Sequence, residues 1–250
     1  MFDKNIKLSV VVPVRDKQQF SRVVEALLRQ KVKGDFELVV VDYGSYKQNV
    51  LSELRYYKDE FINPHSVRLL SLRHIPQFNR SRALNIGFRW SLGKYVFSLD
   101  ADVICPDGYL QALVDHAGPH ICVRCVGKES STMEYRKWCG CGIMLVPIQG
   151  VFDVTGYDES FTGYGEEDID FRDRLRKANY RVVTMSDPAW VHMSHTNQER
   201  AQAQYCSRVR GGVNPNKVKR LHNVAKGIIR PNHFAWGTGI PFELKHFELK

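Results

Sequence analysis

Four short apolar runs, three of them followed by a helix-forming stretch, restrict what this chain can become more than any other feature. Leu8-Ser-Val-Val-Val-Pro13 reads as a buried first strand, and Gln18 to Gln30 follows with Phe20, Val23, Val24, Leu27 and Leu28 on one helical face. Phe36 to Asp42 is the second run, with a helix through Val50, Leu51 and Leu54. Val67 to Leu72 is the third, with a helix near Arg82 to Trp90, and Tyr95 to Leu99 is the fourth. Continuous apolar runs suit strands covered on both faces. Alternation of strand and helix predicts an α/β fold, a parallel sheet between helices whose ligands bind beyond the carboxyl ends of the strands. Arg15 and Lys17 come just after the first run, Asp42 ends the second, and Asp100 and Asp102 follow the fourth, so these polar groups are expected to converge on one edge.

In Phe97-Ser-Leu-Asp100-Ala101-Asp102-Val103 two carboxylates stand one residue apart. Alternate strand residues share a face, so both acids are expected to project the same way where the strand gives way to loop. Adjacent anions repel, and a divalent cation such as Mg²⁺ or Mn²⁺ reverses that balance. The plainer alternative is a pair of solvated carboxylates in a turn.

The second half is more mixed. Ile121 to Val126 and Gly142 to Pro147 read as strands, Glu167 to Ala178 as a helix, and Tyr180 to Met185 as a further strand. Beyond His195 periodicity is lost, and ten Lys/Arg face three Asp/Glu. With 250 residues, 43% of them hydrophobic, the chain can bury a full core, and no internal repeat or linker divides it. No apolar run approaches the length of a membrane span and no signal-type leader precedes the first strand, so the expectation is a cytoplasmic protein. A net charge of +9 implies an anionic partner: nucleotide, phospholipid surface or nucleic acid. The six cysteines are expected as free thiols. A zinc site on Cys122, Cys125, Cys139 and Cys141 is disfavoured, because the first pair falls in a strand and the second lacks the usual spacing.

Three stretches, in order, carry a family resemblance. Val12-Pro-Val-Arg-Asp-Lys17 and Gln77-Phe-Asn-Arg-Ser-Arg-Ala-Leu-Asn-Ile-Gly-Phe88, shortly before Asp100-Ala-Asp102, resemble the β1,4-galactosyltransferases. Gly163-Tyr-Gly-Glu-Glu-Asp-Ile-Asp-Phe-Arg-Asp-Arg-Leu175 is similar to the W-G-G-E-D segment of those enzymes and of family 2 transferases of the chondroitin-polymerase type. The likeness runs from about residue 7 to 195. It implies a GT-A fold, a Rossmann-like nucleotide-sugar domain with a mixed, mainly parallel central sheet over residues 1–205, and leaves 206–250 as a basic extension packed on or flanking it.

The resemblance also implies roles. Pro13, Val14, Arg15 and Lys17 would line the nucleotide pocket, Asp42 would meet uracil or ribose, and Phe78 and Arg80 would contact base and diphosphate, with Asp100 and Ala101 beside the donor. Asp100, Asp102 and His192 would hold Mn²⁺ or Mg²⁺, with His195 the alternative third ligand. Asp168 would be the base of an inverting transfer, its charge favoured by the start of the helix. Glu167 and Tyr164 would hold the acceptor, on a segment that Gly163 and Gly165 allow to move as a lid. The expected reaction passes a hexose or N-acetylhexosamine from a UDP-sugar to a glycan or glycoconjugate hydroxyl, as in polysaccharide biosynthesis. Peripheral membrane contact stays open, and a nucleic-acid partner is open but not favoured. The rival readings are a transferase acting on modified DNA bases and a non-catalytic module that binds nucleotide sugars or polyanions. The chain departs from the pattern in having Tyr43 where many relatives have Asp, Tyr164 in place of tryptophan, and cysteines around Gly140.

Overall fold

The computed structural model describes residues 6–60, 66–129, 135–136, 142–193 and 214–247; Cys139, Cys141, His195 and Cys206 lie outside them. In chain order the elements are β1 (Ile6–Val14), α1 (Phe20–Leu28), β2 (Asp35–Tyr43), α2 (Val50–Tyr56), β3 (Ser66–Leu72), α3 (Arg80–Arg89), β4 (Tyr95–Ser98), β5 (Val103–Ile104), α4 (Tyr109–His116), β6 (Ile121–Glu129), β7 (Tyr135–Arg136), β8 (Met144–Pro147), α5 (Ile148–Asp153), α6 (Glu167–Lys177), β9 (Arg181–His192), α7 (Pro215–Ala225) and β10 (Phe242–Phe247). One sheet takes the strands in the order β10-β3-β2-β1-β4-β8-β6-β9-β5, with β7 paired on β6. The central four, β3-β2-β1-β4, are parallel. β8 joins β4 antiparallel, and β10 closes the other edge antiparallel to β3.

The sheet is covered on both faces because its strands are apolar on both. Leu8, Val10, Val12 and Val14 face a core that holds Phe20, Val23 and Leu27 of α1, Leu54 of α2 and Leu110 and Leu113 of α4. Val11, Val39 and Val41 face the other core, with Leu84 and Phe88 of α3, Val151 of α5 and Phe171 and Leu175 of α6. At Gly87, α3 comes so close to the sheet that a Cβ would stand 2.2 Å from Val11 Cγ1. Cys122 and Cys125 of β6 lie in opposite cores, so the two thiols cannot share one metal ion. Burial pushes both up to about 12, which keeps them as inert protonated thiols.

One polar cluster is buried inside this apolar frame. Glu37, fully enclosed on β2, accepts hydrogen bonds from the Ser9 hydroxyl at 2.5 Å and Leu92 N–H at 2.7 Å, and pairs with Arg68 of β3. The cluster ties β1, β2, β3 and the turn before β4, and each partner depends on the others to offset its lost hydration.

Strand order reverses between β1 and β4, the place in a doubly wound sheet where helices leave in opposite directions and open a crevice beyond the strand ends. Lys17, after β1, and Asp102, after β4, meet at this point at 2.7 Å.

Candidate active site

Asp100, Ala101 and Asp102 occupy the turn between β4 and β5, since β4 ends at Ser98, earlier than strand alternation requires. The turn separates the acids' partners. Asp100 Oδ1 accepts from Arg80 Nε at 2.9 Å and faces Arg80 Nη2 at 2.8 Å. Asp102 Oδ2 accepts from Lys17 Nζ at 2.7 Å, while its Oδ1 lies 3.6 Å from His192 Nε2. Lys17 reaches Asp102 across the switch point, from the loop after β1. His192 is placed by backbone pairing: Val103 stands opposite it in β5–β9, and Met193 N–H donates to Asp102 O at 2.8 Å.

Asn79 holds the start of α3. Its Oδ1 caps the helix by accepting from Arg82 N–H at 2.9 Å, and its Nδ2 donates to Glu159 O at 2.9 Å. Arg80, next in the chain, donates through Nη2 to Gly142 O at 2.9 Å and comes within 3.7 Å of Glu167 Oε1 through Nη1. Its guanidinium lies over the Tyr157 ring at 5.8 Å, and Tyr157 stacks on Phe171 with ring centroids 4.1 Å apart. Burial works against the Arg80 charge, yet Asp100, Tyr157 and Glu167 hold its pKa above the ordinary value. Burial also pushes the Tyr157 phenol up to about 12.

Glu167 and Asp168 open α6. The first turn carries Glu167, Asp168 and Asp170 and the last carries Arg174, Arg176 and Lys177, a distribution that matches the helix dipole at both ends. The approach to the helix is left-handed at Gly163 (φ +75°), Gly165 (φ +86°) and Glu166 (φ +75°). Burial, reinforced by the negative charge of Asp168 and opposed by Arg80, pushes Glu167 up to about 7. Asp168 is buried, whereas Tyr164 stands 54% exposed on the loop ahead of them.

On the β1–β2 side, Pro13 and Val14 are strand residues inside the sheet, and Val14 pairs with Asp42. Asp42 is buried and accepts from Ser45 N–H at 2.9 Å and from the Ser71 hydroxyl at 3.2 Å. Phe78 packs edge-on against Tyr43, with centroids 5.6 Å apart. Arg15 lies 6.0 Å from the Tyr46 ring.

The anticipated residues therefore fall into three groups. Asp100, Arg80, Glu167 and Asp168 form one connected charged set, Asp102, Lys17 and His192 a second joined to it through Ala101, and Arg15, Asp42 and Phe78 line the ends of β1 to β3. No cluster of three metal-ligating side chains is gathered among the described residues. Sequence reading missed Tyr157, which carries no motif. It also missed Asn216 and Arg220, whose contacts with residues 162–166 arise only from the chain's return as α7.

A glycosyltransferase with the GT-A fold is the class these features define. The family model described as glycosyl transferase family 2 matches residues 9–138, just over half of the chain, and one described as the N-terminal domain of galactosyltransferase matches residues 124–196. The chain belongs to glycosyl transferase family 2. Among solved structures it is similar to S. aureus TarS 1–349 in complex with UDP-GlcNAc, at TM-score 0.64 and 17% identity over 79% of this chain and 61% of that one. It therefore spans about three fifths of that protein's length. Mannosyltransferase PcManGT from Pyrobaculum calidifontis, in complex with GDP-Man and Mn²⁺, aligns at TM-score 0.60 and 19% identity over 88% of this chain and 69% of that one. No curated protein sequence matches the chain.

Proposed function

We propose that this glycosyltransferase passes a hexose or N-acetylhexosamine from a UDP-sugar to a hydroxyl of a glycan or glycoconjugate, with inversion and with help from Mn²⁺ or Mg²⁺. One observation carries the reading: the Arg80 guanidinium links Asp100, at the tip of β4, to Glu167, at the start of α6. Donor-side and acceptor-side carboxylates thus share one rim. The similar structures that hold UDP-GlcNAc, or GDP-Man with Mn²⁺, support a nucleotide-sugar donor.

The nucleoside end is assigned to Pro13, Val14 and Asp42, in the last residues of β1 and β2, and to Arg15 and Phe78, in the loops that follow β1 and β3. Arg80 and Lys17 supply the positive charge that a diphosphate needs, Arg80 through a planar fork suited to phosphate oxygens. Asp102 and His192 would hold a divalent cation: Asp102 Oδ1 and His192 Nε2 are 3.6 Å apart, within reach of a single ion, and both ligand types suit Mn²⁺, while Asp100 would join them only by leaving Arg80. Such an ion would supply Lewis-acid stabilisation of the departing diphosphate. Asp168 takes the proton of the attacking hydroxyl as its oxygen bonds to the anomeric carbon on the side opposite UDP. Glu167 and the exposed Tyr164 ring hold the acceptor sugar.

The test is a thermal-shift panel of UDP- and GDP-sugars with and without Mn²⁺, since a ligand that binds only the folded chain raises its melting temperature. A rise with UDP-sugars that grows when Mn²⁺ is added is expected. A rise with GDP-sugars alone, or no response to any nucleotide sugar, overturns the reading.

A further inference from the structure

Helix α7 is amphipathic the wrong way round for a helix packed on a globular domain. Its inward residues are polar. Asn216 Nδ2 donates to Thr162 O at 2.9 Å and Gly165 O at 3.0 Å, Arg220 Nε to Glu166 Oε2 at 2.7 Å, and Asn223 Nδ2 to Asp170 Oδ1 at 2.9 Å. Its outward residues are aliphatic: Val218, Leu221 and Val224, on successive turns, are 52%, 49% and 40% exposed. Single exposed hydrophobic residues are ordinary, but a stripe of them opposite a face satisfied by hydrogen bonds and ion pairs is a surface kept apolar toward something outside.

We propose that the outer face of α7 docks on an anionic lipid surface. Charge selects this occupant. Lys217 and Lys226 are exposed at either end of the stripe, Arg230 is exposed on the segment that follows, Arg176 is exposed and pairs with Asp173 at 3.3 Å, and Lys177 Nζ donates to Val224 O at 3.0 Å. The nearby Asp173 and Glu166 are already engaged by Arg220. An apolar stripe rimmed by lysine and arginine is the pattern of a helix lying in the headgroup region, where burial and attraction to anionic lipid act together. A second copy of this +9 chain would bring like charges together across the same rim. The stripe is also aliphatic, without the aromatic anchors that concentrate binding energy between proteins.

The inner face of the helix gives docking a consequence. Because Asn216 and Arg220 fasten residues 162–166, a docked α7 holds the acceptor-side loop beside the bilayer, which suits an acceptor carried on a lipid. That consequence rests on the acceptor roles proposed for Tyr164 and Glu167; the docking itself does not.

The experiment is co-sedimentation of the full chain with vesicles of phosphatidylcholine mixed with phosphatidylglycerol, or of phosphatidylcholine alone, at low and high salt. Binding to the anionic vesicles, weakened by salt, is expected. The double variant Val218→Ser/Leu221→Ser should lose about tenfold in partition coefficient. Its melting temperature and its donor-induced thermal shift should stay those of the parent, because both side chains point away from the core and the site. Equal binding by parent and variant, or no binding of the parent to anionic vesicles at low salt, overturns the proposal. So does light scattering that shows a dimer which the variant dissociates, since that assigns the stripe to a second copy. Loss of the nucleotide-sugar response in parent and variant alike removes the donor reading and leaves the docking result standing.

Discussion

Replacing Glu167 with glutamine tests the electrostatics at the start of α6. Burial and the neighbouring Asp168 push Glu167 up to about 7 from an ordinary 4.5, against the pull of Arg80. A carboxyl that holds its proton more tightly when folded contributes full stability below the unfolded value. Between pH 4.5 and about 7 the unfolded chain ionises first, so stability falls as pH rises and levels off above. At about 1.4 kcal/mol per pH unit that window holds about 3 kcal/mol. Glu167→Gln keeps the shape and cannot ionise. The variant should match the parent near pH 4.5 and exceed it at pH 8 by up to about 3 kcal/mol, the pull of Arg80 already included, or about 6–12 °C in melting temperature for a chain of this size. Urea unfolding of both proteins at pH 4.5, 6 and 8 reads this, since the difference between them cancels the titrating groups that do not interact with Glu167. If the parent gains stability over Glu167→Gln as pH rises, Glu167 does not sit in the buried, carboxylate-crowded setting described here.

Two further substitutions probe the base and the frame. Asp168→Asn should lower the transfer rate by about 10²–10⁴, the usual worth of a positioned general base, while leaving the donor-induced thermal shift intact; transfer at the parental rate removes Asp168 from the chemistry. Glu37→Ala strips the enclosed Arg68 of its carboxylate and should cost about 3–5 kcal/mol in denaturant unfolding, whereas a loss below about 1 kcal/mol would mean that water or another group takes its place.

The half of the chain that could be read from sequence is the half whose side chains obey one rule. In β1 to β4 and α1 to α3 the buried faces are apolar, so runs such as Leu38–Val41 and pairs such as Val23 and Leu27 mark the elements to within a few residues. Reading fell short where side chains serve another purpose. Apolar continuity runs β4 through Leu99 up to the acids, yet the strand ends at Ser98 and a turn sends Asp100 to Arg80 and Asp102 to Lys17. α7 passed unnoticed because its packed face is Asn216, Arg220 and Asn223, the inverse of the pattern that marks a packed helix. β10 was missed because Phe242-Glu-Leu-Lys-His-Phe247 is a short edge strand after a Gly- and Pro-rich turn, and its pairing with β3 is a contact across most of the chain. The candidate residues of the site were named from motif order, but the role of Arg80 as the link between its two sides follows only from distances.

In the proposed reaction Asp102, with a divalent cation, stabilises the departing diphosphate. UDP release from a UDP-sugar should be measured with and without Mn²⁺, in the parent and in Asp102→Ala checked for an unchanged fold by circular dichroism. Release by the parent should require the cation and be lost in the variant. Release by the parent at the same rate without any divalent cation, or by Asp102→Ala at the parental rate, would contradict it.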